Sequence, residues 1–219
     1  MRRPIPIILF ALAAALSGGS AAAERPLTIA AAANLKDVMQ ALVADFRKTH
    51  AGAKVDVVLG SSGKFVQQIE HGARYDLFFS ADLEYPQHLV TERLTASDVR
   101  VYARGRLVLW SATHDARRLT LKDLADPAIR RIAIANPKLA PYGARAQQAL
   151  KRAGVWENVQ DKLVFGQNVS QAAQFADSGG ADVALIPLSL ALSPALKQRG
   201  DYLVIPESQH APLDQGFVI

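Results

Sequence analysis

Strand-like apolar runs alternate with helix-like stripes along nearly the whole chain, and no other feature narrows the possible folds as far. Residues 27–33 are the first run, broken only by Thr28. They lead at once into Leu35, Val38, Met39, Leu42 and Phe46, spaced i, i+3, i+4, i+7, i+11 as on one helix face. Residues 55–59 read as a second strand, Phe65 and Ile69 mark a second helix stopped by Gly72, and residues 77–80 read as a third strand. The second half repeats the pattern. Strands fall at 106–110 and 131–135, then a helix carries Ala146, Ala149, Leu150 and Ala153 up to Gly154. A short strand at 163–165 precedes a helix carrying Val169, Ala172, Ala173 and Ala176, which Gly179 and Gly180 end. Buried strands are expected at 183–186 and 202–205. This order predicts an α/β fold with largely parallel sheets. Residues 216–219 are one more apolar run at the end of the chain; it reads as an element cut short and predicts a fragment.

The first 23 residues follow a different pattern. Arg2 and Arg3 form a basic start, and residues 7–16 give about ten apolar positions, too few to span a bilayer. Ala21-Ala22-Ala23 then supplies a small-residue cleavage site before Glu24. This is the layout of a secretory signal, and Pro4 and Pro6 directly after the arginine pair argue against the twin-arginine type. The chain has 25 Lys and Arg against 20 Asp and Glu, a net +5; without Arg2 and Arg3 the balance is +3. So mild a charge, with scattered bases, argues against nucleic acid as a partner. The lack of cysteine rules out disulfides, thiolate metal sites, a catalytic thiol and a lipid-anchored N-terminal cysteine. The mature protein is expected to be soluble, exported and periplasmic.

Chemistry is expected where strands hand over to helices. Asn34 follows the first strand and starts a helix, a position at which Asn is a favoured N-cap. Ser62 follows the second strand within Gly60-Ser61-Ser62-Gly63, and Pro141-Tyr142-Gly143 precedes the helix of Ala146. Asn168 and Val169 start the helix of Ala172, with Gln171 at the capping-box position. In open α/β sheets such helix starts collect at the carboxyl ends of the strands, where ligands bind. Their unpaired N–H groups and partial positive charge attract anions. A capped helix start is equally the ordinary construction of any α/β protein.

Sharper motifs fail. A phosphate loop needs four residues between its glycines; here two separate Gly60 from Gly63, and Phe65 follows Lys64. A nucleophile elbow fails because Lys64 stands where its second glycine belongs, and Lys64 reads as a solvated helix residue. His50, His71, His88, His114 and His210 show no metal-ligand spacing, and His50 and His71 fall at expected helix ends. Asp76 and Asp82 flank the third strand and read as turn residues as readily as a carboxylate pair. Trp110 and Trp156 read as core or lobe-surface aromatics. No catalytic set emerges.

The run from Leu27 through Ala33-Asn34-Leu35 to Asp37, then Gly60-Ser61-Ser62-Gly63, Gln68 to Gly72 and Asp76 to Asp82, resembles the molybdate-binding periplasmic components of ABC transporters. The match continues through Ile134 to Gly143, Gly154-Val155-Trp156, Gly166 to Val169 and Ile205 to Ser208, and so covers the mature chain. The resemblance implies a two-lobed periplasmic binding protein of type II, with a cleft for molybdate or tungstate between α/β lobes. Lobe one would comprise residues 25–104 plus 207–219 and lobe two residues 105–206. The oxyanion would be held by neutral donors: Asn34 and Ser62 from the first lobe, Tyr142 and the backbone of Val169 from the second. Ala33, Ser61 and Asn168 are additional candidates. It further implies no cofactor, no direct metal-ion ligand, a monomer, and a membrane permease as partner.

An all-donor pocket suits molybdate, which is fully deprotonated at neutral pH, whereas a protonated phosphate would also want an acceptor. Three departures from the family pattern stand out. Ala33 stands where many members have Ser or Thr, Pro187 lies in a strand where some use Tyr, and the family's C-terminal helical segment is missing. The competing readings are a receptor for sulfate, phosphate or a small organic acid, a secreted enzyme on the same fold, and a sensor domain.

Overall fold

The computed structural model describes residues 25–219, so the leader read at residues 1–23 lies outside the described residues. The chain first lays down β1 (Leu27–Ala32), α1 (Lys36–Thr49), β2 (Val55–Gly60), α2 (Ser62–Glu70), β3 (Leu77–Phe79), α3 (Glu84–Thr91) and β4 (Arg100–Arg104). It then builds β5 (Leu107–Ser111), β6 (Ile132–Ala135), α4 (Pro141–Arg152), α5 (Trp156–Val159) and β7 (Leu163–Gly166). After these come α6 (Val169–Asp177), β8 (Val183–Pro187), α7 (Leu188–Ala191), α8 (Pro194–Lys197), β9 (Asp201–Val204) and finally β10 (Asp214–Val218).

Two five-stranded sheets result, ordered β2-β1-β3-β10-β4 and β7-β6-β8-β5-β9. Both follow one plan: three parallel strands, an antiparallel neighbour, and an outer strand antiparallel to that one. Each sheet centres one lobe. The chain passes between lobes at residues 105–106 and again at 205–213. The strand and helix positions expected from periodicity match these elements to within a few residues. The stretch from 81 to 105, where no element was read, holds α3 and β4.

The second sheet is buried at its centre because its three middle strands are nearly unbroken apolar runs. β5, β6 and β8 are buried at every residue, the pattern of strands covered on both faces. In the first sheet the alternation of β1 divides two small clusters. Ala30 joins Phe65, Val66, Phe78 and Leu89 beneath α2 and α3, while Ile29 and Ala31 join Leu35, Met39 and Val55 beneath α1. The apolar stripe of α1 is helical as read, yet only part of it is core. Leu35 and Met39 are buried, but Val38, Leu42 and Phe46 are 46%, 54% and 40% exposed. Gly72 and Gly154, at φ +90° and +75°, close α2 and α4 in the left-handed conformation that glycine adopts without strain.

Candidate ligand site between the lobes

The strand-to-helix junctions of both lobes meet in one seam. Gly63 donates its N–H to the carbonyl of Leu139 at 2.9 Å. The Ser170 hydroxyl donates to the carbonyl of Ala33 at 3.2 Å, and that of Ser189 to the carbonyl of Asn34 at 2.9 Å. The Tyr85 hydroxyl reaches the carbonyl of Lys138 at 3.3 Å. Ala32, Ala33 and Ala81 of the first lobe join the apolar core of the second. At the rim, Arg145 approaches Glu84 at 3.5 Å. Of the residues singled out from sequence, Ala33, Asn34, Ser61, Ser62, Tyr142 and Val169 are buried and Asn168 is half-buried.

Asn34 is not an N-cap. A single 3-10 turn, Ala33–Leu35, intervenes after β1, so α1 starts two residues later and Leu35 takes the cap position without a side-chain bond. The Asn34 amide is thereby free to turn inward. Its Nδ2 donates to Oε1 of Gln215 at 3.0 Å, and its Oδ1 is buried without a partner.

Ser61 occupies the cap position of α2, yet its side chain caps nothing, and its buried hydroxyl has no protein partner. Ser62 is the first helical residue and fully buried; its Oγ accepts the N–H of Ala81 at 3.0 Å, which leaves its proton for another acceptor.

Tyr142 is the second residue of α4, behind Pro141, whose missing N–H costs nothing at a helix start. Its hydroxyl accepts from Nε2 of Gln215 at 3.0 Å. Burial, set against the Gln215 hydrogen bond, pushes the hydroxyl's pKa well above its ordinary value, so at neutral pH it remains a protonated donor. Gly143 permits α4 to lie against β6, since a Cβ there would run into the carbonyl of Ala135.

Asn168 caps α6 as expected, its Oδ1 accepting the N–H of Gln171 at 3.1 Å. Gln171 does not complete a capping box. Its side chain passes Asn168 and accepts from the N–H of Gln167 at 2.7 Å, because Asn168 is fully extended at φ −150° and ψ 177°. With the third N–H of α6 capped, those of Val169 and Ser170 have no partner within the helix.

The remaining polar residues have structural roles. Asp76 accepts the Thr28 N–H at 2.8 Å and pairs with Arg25, whose hydrogen bond holds the carboxyl below its usual range. Asp82 is buried and accepts from the Ser80 hydroxyl at 2.8 Å and the Tyr85 N–H at 3.2 Å; burial pushes its pKa up. Lys64 is exposed. The Nδ1 atoms of His50 and His71 lie 3.3 Å and 2.6 Å from the carbonyls of Phe46 and Gln67 at their helix ends. Trp110 is core, and Trp156 packs against the second-lobe core beneath Lys151. Among the described residues no three His, Cys, Asp or Glu are grouped to hold a metal ion, and no helix is long and apolar enough to cross a membrane.

Residues without a sequence signal complete the seam. Gln215, Ser170 and Ser189 all bond across it, and Tyr102 donates to Gln215 at 2.8 Å from within the first lobe.

Two α/β lobes, twice connected and meeting over buried neutral donors at their helix starts, define a receptor for a small solute. The chain belongs to the bacterial extracellular solute-binding proteins, whose sequence model matches residues 27–219. It is 35% identical over 212 residues to the molybdate-binding protein of Rhodobacter capsulatus, covering 95% of this chain and 81% of the relative. It is 36% identical over 216 residues to that of Azotobacter vinelandii, covering 97% and 84%. The solved periplasmic molybdate-binding protein of Azotobacter vinelandii superimposes with a TM-score of 0.82 at 34% identity, over 88% of this chain and 84% of that one. The sulfate-binding protein SubI of Mycobacterium tuberculosis shares the fold, with a TM-score of 0.74 at 14% identity over 90% and 76% of the two chains.

Proposed function

We propose that this chain is an exported receptor that binds molybdate, and tungstate, and delivers it to the membrane permease of an ABC transporter. One observation carries the reading. At the lobe seam the junction residues offer neutral donors, and the protons of Ser61 and Tyr142 meet no protein acceptor among the described residues. Asn34, Ser62, Tyr142 and the backbone N–H of Val169 are the proposed ligands, with Ala33, Ser61 and Asn168 at their flanks. Such a set replaces the water shell of a fully deprotonated tetrahedral dianion with fixed N–H and O–H groups, three of them at helix starts that favour negative charge. The names of the relatives support the same ligand.

The lobes are taken as residues 25–104 plus 207–219, and 105–206. The protein acts as a monomer without cofactor or reaction: the anion stabilises the closed arrangement, which docks on the permease. Thermal unfolding with molybdate, tungstate, sulfate and phosphate tests this. A native-state ligand at about 100 times its Kd adds about 2.7 kcal/mol. The expected result is a raised Tm with molybdate and tungstate alone. A shift with sulfate or phosphate instead reassigns the ligand, and a cooperative transition moved by none of them overturns the receptor reading.

A further inference from the structure

Gln215 lies on β10, at the point where its register with β4 shifts between Gln215 and Gly216, and it is 2% exposed. Its amide is occupied at both ends. Oε1 accepts from Asn34 Nδ2 at 3.0 Å and from the Tyr102 hydroxyl at 2.8 Å, the latter proton being shared with the carbonyl of Ser80 at 2.7 Å. Nε2 donates across the seam to the Tyr142 hydroxyl at 3.0 Å. With two first-lobe donors on its oxygen, the amide presents nitrogen, not oxygen, to Tyr142. The tyrosine oxygen is therefore held as an acceptor, and its one proton must point elsewhere. Among the described residues nothing receives that proton. The backbone closes tightly over the pair, since a Cβ on Gly105, in the first crossing between lobes, would run into both the Tyr142 hydroxyl and Gln215 Nε2.

We propose that Gln215 is a positioning residue for the anion site: by bridging Asn34 and Tyr142 it aims the Tyr142 proton into the seam, and does so only when the lobes are together. This rests on the oxyanion-receptor reading above. The amide does not touch the anion. It makes a donor of Tyr142 and ties the first-lobe donor Asn34 to it, so that closing the lobes and arming the site are one event.

The test is calorimetric titration of molybdate into the full chain and into the Q215L, Q215E, Y142F, Q215L/Y142F and Q215E/Y142F variants. The expected result is a loss of about tenfold or more for Q215L and for Y142F, as for a hydrogen bond to a charged group, with the double variant little worse than the weaker single one. Q215E adds a pH signature. An ionised carboxylate can only accept, so it draws the Tyr142 proton out of the seam, whereas a protonated one donates as the amide does. Binding by Q215E should thus be poor near about pH 8 and recover towards about pH 5, while the wild type stays flat over that range. In the Y142F background the part of this profile that acts through Tyr142 should vanish. Additive losses from Q215L and Y142F, or Q215L and Q215E matching the wild type at every pH, overturn the proposal while leaving the receptor reading intact. A wild type that binds no molybdate overturns that reading and the proposal together.

Discussion

The second-lobe sheet buries its central strands β5, β6 and β8 from end to end, whereas in the first-lobe sheet, on the same strand plan, the central strands β1, β3 and β10 are each buried only in part. The second lobe owns one large continuous core; the first has two small clusters on opposite sides of β1 and lends Ala32, Ala33, Ala81 and Leu213 to the shared one. The two lobes thus divide the labour. The second, with the larger continuous core, is the frame, and the first is the lighter half. The proposed donors nonetheless come from both, because what such a donor needs is a strand-to-helix junction, and each lobe brings two of them to the seam.

The largest test of this contrast is Leu185→Ala. Its side chain is fully buried in β8, so truncation should cost about 2–5 kcal/mol in urea unfolding. A loss below about 1 kcal/mol would mean that the second-lobe core is not the frame. Ser62→Ala comes next, with molybdate binding weakened by about 1–3 kcal/mol, and a stability loss of about 1–3 kcal/mol because the buried Ala81 N–H is left without its acceptor; an unchanged Kd by calorimetry removes Ser62 from the site.

Asp82→Asn has a smaller effect and a defined sign. Burial raises the carboxyl pKa, so the folded state holds the proton more tightly than the unfolded one. The contribution of Asp82 to stability falls as pH rises from the ordinary carboxylate range through the raised value. The Asn variant should therefore gain on the wild type in urea unfolding as pH rises above the ordinary carboxylate range. Asp76 runs the other way: its lowered pKa favours the fold above the ordinary range, and that share is lost in acid. A difference between D82N and wild type that does not move with pH would show that Asp82 is not desolvated. Smallest is Leu42→Ser on the open face of α1, expected within about 0.5 kcal/mol of wild type by the same unfolding assay. A loss comparable with that of Leu185→Ala would erase the distinction between lobes.

Periodicity made most of the fold legible, since apolar runs and stripes register burial directly. It failed where burial was absent. β4 is an edge strand, Arg100–Arg104, with an arginine at each end and one half-buried residue, and it offers no apolar signal. α3 has only Pro86 and Leu89 buried, too few to show a stripe. In α1 the helical stripe is as the spacing predicts, but Val38, Leu42 and Phe46 are exposed, since periodicity shows which residues share a face and not what covers that face. The junctions bearing the proposed donors were readable because Asn, Ser, Pro and Gly mark helix starts. Side-chain aim was not: Asn34 and Gln171 both miss the bonds their positions suggested. Gln215 was invisible because its partners Asn34, Tyr102 and Tyr142 stand 181, 113 and 73 residues away.

The place of β10 fixes an order of assembly. It sits between β3 and β4, and among the described residues β4 has no other neighbour. A polypeptide emerging from its N-terminus delivers every strand of the second sheet, through Asp201–Val204, before Asp214–Val218. The lobe begun first is thus completed last, and its closure joins segments more than a hundred residues apart, the kind of contact that slows folding. β10 is a keystone laid after the arch is standing. Because it carries Gln215, the chain gains the amide that spans the seam in the same step that closes its first sheet.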